Sequence, residues 1–172
     1  NTHIEHPEDT ILTGNLDFLK AVKSYIVAPH GHVSVKIDGS PAIIWGTHPV
    51  THKFFVGTKS VFNRKLIKVN YTHKDIDKNH TGYVAIVLHA CLSNLPKTIN
   101  IYQGDFLGFG GESVFQPNTV TYVFPENVEQ TIVVAPHTQY EVDQCTDNAS
   151  FNPLRDTIAI PLYDTLDSNE KV

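Results

Sequence analysis

Val33-Ser34-Val35-Lys36-Ile37-Asp38-Gly39-Ser40-Pro41-Ala42-Ile43-Ile44-Trp45-Gly46 is the stretch on which the fold turns. Val33, Val35 and Ile37 alternate with Ser34, Lys36 and Asp38, the period of a half-buried strand, and Asp38-Gly39 is a turn pair. Ala42 to Gly46 is an apolar run that predicts a second strand. The connection THPVTHK, residues 47–53, reads as a hairpin, and FFVGT, residues 54–58, as a returning third strand. Lys36 would then sit on a strand, on the face opposite the valines. Working towards the N-terminus, Leu16, Phe18, Leu19, Val22 and Ile26 fall near helical spacing, so residues 15–27 predict an amphipathic helix. Towards the C-terminus, residues 75–95 carry a second helical pattern that should stop at Asn94, ahead of Pro96. INIYQGDFLGFGG comes next as a strand with a glycine-rich exit. TVTYVF and TIVVA read as β segments rich in β-branched and aromatic residues, and IAIPLY is a short late apolar run. Helix, strands, helix, strands in that order predicts an α+β domain on antiparallel sheets rather than a doubly wound one. Residues 1–172 are expected to form one domain, with its C-terminal end open to truncation.

Composition narrows the classes. A chain of 172 residues with 41% hydrophobic content can bury one sizeable core. No apolar run approaches the ~18 residues of a membrane span. Glu5, Glu8, Asp9 and Asp17 in the first twenty residues are unlike a secretory leader. Cys91 and Cys145 are the two cysteines, too few for a disulfide framework or a zinc pattern, so a cytoplasmic setting (the host cytoplasm, if phage-encoded) is expected. Asn70, Asn79 and Asn148 open N-x-S/T triplets that read as chance. The net charge of −5 argues against a broad non-specific nucleic-acid surface, yet Lys53, Lys59, Arg64, Lys65, Lys68 and Lys74 fall in one short stretch. The ten histidines are scattered without metal-ligand spacing.

Lys36-Ile37-Asp38-Gly39-Ser40 resembles the K-x-D-G motif of covalent nucleotidyltransferases, and the chemistry this resemblance implies is coherent. A lysine amine can attack the α-phosphorus of ATP, but only when neutral, so its pKa must fall from about 10.4 towards neutrality. Burial against a sheet and nearby cations would achieve that. The plain alternative is a surface strand lysine before an Asp-Gly turn. The residues beyond the lysine favour the first reading. The pentapeptide matches the K-x-D-G motif of the covalent nucleotidyltransferase superfamily, the ATP-dependent RNA and DNA ligases and capping enzymes. Thr58-Lys59-Ser60 resembles the basic element that comes after the first hairpin in bacteriophage RNA ligases. YQGDFLG resembles the superfamily's acidic motif, with Asp105 at the acidic position, and PNTVTYVF the next motif, whose aromatic residue stacks on the nucleobase. HIEHPEDTIL and the central region are also similar to an uncharacterised family of phage proteins with a K-x-D-G-A/S-P-A core. Ser40 and Pro41, where DNA ligases and capping enzymes carry arginine, are in the RNA-ligase style.

The resemblance implies a ligase adenylation-domain-like fold and gives each residue a role. Lys36 would be the nucleophile, and Asp38 would orient the lysine or the ribose, with Gly39 and Ser40 beside the nucleotide. Lys59 and Arg64 would bind phosphates and stabilise developing charge. Asp105 would bind ribose or a magnesium ion bridging to the phosphates. Tyr122, or next Phe124, would stack on adenine. ATP and Mg2+ are the implied cofactors, and the implied partners are a nucleotide and a nucleic acid with a 5′-phosphate end, with no membrane. Two superfamily motifs lack a recognisable counterpart. A metal-binding glutamate should open a later strand, where TIVVAPHTQYEV offers His137 and Glu141 instead. A Lys-x-Lys pair should come after it, yet Arg155 and Lys171 are the only basic residues after position 124. Two other readings therefore stay open: an inactive module that binds a nucleotide or a nucleic-acid end, and a phage structural or interaction protein on the same fold.

Overall fold

The computed structural model describes residues 14–27, 36–142 and 152–162. Its contacts divide the chain into two units, Thr2–Lys36 and Ile37–Val172. Within the first, α1 spans Leu16–Val27. Its N-terminus is closed by Asn15, whose side-chain oxygen accepts from Phe18 N at 3.1 Å, which satisfies one of the donors a helix start leaves orphaned.

The second unit is a mixed α+β fold on an antiparallel sheet. Strands β1 (Ala42–Thr47), β2 (Phe54–Gly57), β3 (Ile101–Phe109), β6 (Ile132–Val142) and β7 (Thr157–Pro161) make a five-stranded sheet in the order β2-β1-β3-β6-β7. A separate two-stranded ribbon pairs β4 (Val114–Phe115) with β5 (Tyr122–Val123). Helices α2 (His73–Asn79) and α3 (Gly82–Asn94) lie in the long connection between β2 and β3.

Alternation along the strands builds a core on each face of the sheet. Ile43, Trp45, Val56 and Phe106 pack against Ile76 of α2 and Val87, Leu88 and Cys91 of α3. Ile44, Phe55, Ile101 and Tyr140 point the other way, onto Val61, Phe62 and Leu154. Val61 and Phe62 belong to a 3-10 turn, Lys59–Phe62, so the segment after β2 folds over this second face. Leu154 is held there by Asn152, whose side-chain nitrogen donates to Val61 O at 2.7 Å.

Several expectations are corrected by these elements. Residues 36–39 are not strand; the strand expected over 33–38 therefore does not carry Lys36, and its first three residues lie outside the described segments. The chain joins the sheet only at Ala42, after Ser40 N donates to Phe106 O and Phe106 N donates to Pro41 O, each at 3.0 Å. The Ser40–Pro41 peptide is cis. The single helical pattern over 75–95 is two helices. Thr72 starts α2 with a capping box in which Asp75 is the return partner, and Gly82, at φ +62°, lets the chain turn before α3. In TVTYVF only Tyr122 and Val123 are strand, since β propensity needs a ladder partner and only Val114 and Phe115 supply one. TIVVA is the start of a strand that continues through the polar stretch to Val142, because β3 and β7 flank it on both sides. Asn70 is fully buried and donates to Val56 O at 2.9 Å, so its N-x-T triplet is a structural asparagine.

Candidate functional site

Asp105 lies in the central strand, paired with Ala42 on one side and Ala135 on the other. By strand period its side chain shares a face with Gln103 and Ile101, the face bearing Tyr140 and Phe62 rather than the helices. Burying a carboxylate in a sheet is costly without polar partners. Gly39 N donates to Asp105 Oδ2 at 3.4 Å, and His137 Nε2 stands 3.6 Å from Oδ1, with the aspartate and histidine side chains 7% and 18% exposed. Gly39 is the residue the docking requires. A Cβ built there would stand 2.5 Å from Phe106 O, so any side chain would push the loop off β3.

His137 owes its position to an irregularity. Gln103 pairs with Thr138 and Gly104 with Pro136, so His137 is an extra residue in β6. A bulge of this kind re-aims a side chain. Here the imidazole meets Asp105 with Nε2 and Thr138 Oγ1 with Nδ1, the latter at 2.7 Å.

Asp38 is fixed from the far side of the sequence. Tyr122 Oη accepts from Asp38 N at 2.8 Å and donates to Asp38 O at 2.9 Å, so one hydroxyl holds both backbone groups of one residue. Asn118 Nδ2 donates to Asp38 Oδ2 at 2.9 Å, while its own Oδ1 accepts from Val120 N and shapes the turn that precedes β5. Asp38, Gly39, Asp105, Tyr122, Asn118 and His137 thus form one cluster, assembled from the loop before β1, the middle of β3, the β4–β5 ribbon with its connecting turn, and the β6 bulge.

Lys36 is exposed and ends the N-terminal unit. Ser40 is exposed and contributes its backbone. Lys59, exposed, is the first residue of the 3-10 turn, and Arg64 is exposed just beyond it. Gly57 pairs with Ile44, so the chain passing through Thr58 and Lys59 runs beside the start of β1, two strands from Asp105. Two interstrand spacings are about 10 Å. The hydroxyls of Thr58-Lys59-Ser60 serve the turn itself: Ser60 N donates to Thr58 Oγ1 at 3.4 Å, and the two Oγ atoms are 2.9 Å apart. Phe124, the second stacking candidate, is engaged edge-on with Phe115 at 5.5 Å between ring centroids. Glu141 is exposed near the end of β6. Asn118 is the site residue that sequence reasoning missed. Its one signal was its place in the Pro-Asn pair that opens the aromatic motif.

Two depressions lie elsewhere. A groove of about 490 Å3 on the helix-bearing face is lined by Trp45, Leu95, Pro96, Ile132, Val134 and Pro136 among others, with no ionisable side chain. The buried indole N–H of Trp45 has no hydrogen-bond partner. A shallower one of about 360 Å3 is lined by Thr58, Ser60, Lys68, Asn79, His80, Thr81 and Val84. We place the candidate site at Asp105 rather than in the larger groove because ionisable and hydrogen-bonding groups converge there. Among the described residues, no group of three or more His, Cys, Asp or Glu side chains is arranged to hold a metal ion. No helix among them is long and apolar enough to cross a membrane.

Neither a curated protein nor a solved structure matches the chain. A family model does, over residues 1–159, and the protein belongs to that family, described as a family of unknown function, DUF6267.

Proposed function

We propose that this protein is an ATP-dependent nucleotidyltransferase in the style of the RNA ligases, on an adenylation-domain-like fold. One observation carries the reading. Asp38-Gly39, Asp105 and Tyr122 come from three separate elements of the resemblance, and hydrogen bonds join them at one place although Asp38 and Tyr122 are 84 residues apart. A surface lysine before a casual Asp-Gly turn gives no reason for that turn to be docked on a buried aspartate.

In this reading the neutral amine of Lys36 attacks the α-phosphorus of ATP. The N–P bond forms as the bond to the bridging oxygen breaks, and pyrophosphate leaves. The adenylyl group then passes to a 5′-phosphate end, and the lysine amine is released. Asp38, its backbone held by Tyr122, orients the lysine or the ribose. Asp105 would receive a ribose hydroxyl or a divalent ion, and such an ion would neutralise phosphate charge. Lys59 and Arg64 supply cations for the phosphates. The ring of Tyr122 remains the stacking surface for adenine even though its hydroxyl is engaged. The cytoplasm, where ATP is available, is the matching location.

The test is intact mass after incubation with ATP and Mg2+. The wild-type chain should gain one AMP and Lys36→Ala none. A folded wild type that gains nothing with any nucleoside triphosphate sinks the transferase reading. Within these residues the scarcity of basic side chains after position 124, Arg155 and Lys171 alone, favours a second reading, a non-catalytic binder of nucleotides or nucleic-acid ends. That reading expects ATP binding without an adduct, weakened by Lys59→Ala.

A further inference from the structure

We propose that the depression between the end of β2 and the α2–α3 junction is a binding site for a phosphate group, with Lys68, His80 and Thr81 as its donors. The site is separate from the one proposed to carry AMP, since Lys59 and Arg64, the cations assigned to ATP there, do not line it. Its occupancy does not depend on the transferase reading.

Two local devices bring the donors together. β2 is an edge strand, and Asn70 bridges Val56 along its outer side with backbone bonds of 3.0 and 3.2 Å. That bridge draws Lys68 alongside the 3-10 turn, where Lys68 N donates to Ser60 O at 3.4 Å. His80 closes α2 and Thr81 opens α3, both with extended backbone. The break between the helices therefore delivers both residues to the same depression of about 360 Å3.

All three groups offer protons. Lys68 Nζ donates to Asn79 O at 2.7 Å, which uses one of three ammonium hydrogens and anchors the charge. The tautomer of His80 is set by Asn70, which is fully buried. Asn70 Nδ2 donates to Val56 O at 2.9 Å, and that carbonyl fixes which end of the amide is nitrogen. Its second hydrogen meets His80 Nε2 at 3.3 Å, so Nε2 accepts. The neutral ring then carries its proton on Nδ1, and no group among the described residues takes it. Burial, then the Lys68 charge, lower the pKa of His80, which holds it in this neutral donor form at pH 7. Thr81 makes no side-chain cap bond to α3, which leaves its hydroxyl uncommitted to the helix.

The donor set decides the ligand. An ammonium, an imidazole N–H and a hydroxyl, with no Asp or Glu among the lining residues, select an anion, although the chain as a whole has a net charge of −5. Donors from separate elements suit the three terminal oxygens of a phosphate group better than the two coplanar oxygens of a carboxylate. Inorganic phosphate and the phosphate of a 5′-mononucleotide present the same group. The competing account is that Lys68 and His80 only tie α2 to the edge of the sheet, with water over them.

The experiment follows the backbone amide shifts of the full 15N-labelled chain at pH 7.5 during titration with inorganic phosphate, AMP and adenosine. Phosphate and AMP should give saturable shifts at Ser60, Thr81 and Gly82, and adenosine none there. Lys68→Met keeps the length of the side chain without its charge and should weaken binding roughly tenfold or more. Thr81→Val removes only the hydroxyl of an exposed residue and should weaken it roughly two- to tenfold, so it serves if the Lys68 variant does not fold. Tighter binding of AMP than of phosphate would name a nucleotide as the source of the group, and equal binding the free ion; either supports the site. Shifts that do not saturate, adenosine acting as strongly as AMP, or an affinity unchanged in either folded variant each overturns the proposal. Lys36→Ala should bind phosphate as the wild type does. Saturable phosphate binding without an AMP adduct therefore removes the transferase and leaves this site standing, and an adduct without saturable phosphate binding does the reverse.

Discussion

Replacing Gly39 with alanine is the sharpest probe of the docked Asp38-Gly39 turn. The new methyl group would stand 2.5 Å from Phe106 O and 3.1 Å from a methyl of Leu107. Phe106 belongs to the central strand, and its C=O and N–H already bond to Ser40 N and Pro41 O, each at 3.0 Å. The oxygen cannot retreat, so the loop must lift. Both backbone bonds then stretch, and the 3.4 Å bond from Gly39 N to Asp105 is lost. Two partly buried backbone bonds contribute about 2 kcal/mol together. Gly39 is not among the positive-φ residues, so alanine also narrows the unfolded ensemble, which returns about 0.4–1 kcal/mol. The net expectation is a loss of about 1–2 kcal/mol. Urea unfolding followed by the fluorescence of Trp45, the sole tryptophan and 4% exposed, should show a lower midpoint with an unchanged slope. Tyr122→Phe is the comparison. Its lost bonds to Asp38 are exposed to water, so its cost should stay below about 1 kcal/mol. A Gly39→Ala protein as stable as wild type, or more so, would refute the tight docking on which the site is built.

Buried titratable groups set two further outcomes. His48 Nδ1 accepts from Val50 N and Thr51 N, both at 3.2 Å, and burial, then His52, lower its pKa; burial, then Lys68, lower that of His80, whose Nε2 lies 3.3 Å from Asn70 Nδ2. Both folded values lie below the unfolded 6.5, so this stability is present above about pH 6.5 and is lost as pH falls through the folded values. Urea midpoints should drop as the pH is lowered from 7.5 towards 5, because each imidazole loses its bonds as it gains a proton. His48→Asn with His80→Gln should flatten the profile; an equally steep one in that variant would refute the assignment. Burial pushes the Cys91 thiol up to about 12. At pH 8 it should therefore resist iodoacetamide in the native chain and react once urea unfolds it, as read by peptide mass; prompt native labelling would contradict the packing of α3.

Local patterning was enough for much of the framework. α1 begins within one residue of its expected start, and the β1–β2 hairpin and β3 lie where apolar runs and turn residues put them. Those signals are short in range and need no knowledge of partners. The break between α2 and α3 was also written locally, in Thr72 with Asp75 and in Gly82, but apolar residues running through the region outweighed it. The length of β6 was not legible. His137 and Gln139 carry little strand preference of their own, and the segment is strand because β3 and β7 hold it.

The candidate site divides in the same way. The resemblance singled out Asp38, Gly39, Asp105 and Tyr122, because a motif is read from residue types and their order alone. It could not say that Tyr122 would grip Asp38 by its backbone, nor that Asn118 would join it. It found His137 and Glu141 where a glutamate was expected, without a reason for His137 to face Asp105. That reason is a mismatch of one residue between two strands, a property of the pairing and of neither strand alone. Residue order is sufficient to name the chemical groups on offer and the α+β class of the fold. Which of those groups meet is settled only when the chain packs, because strand register and docking are set by partners dozens of residues away.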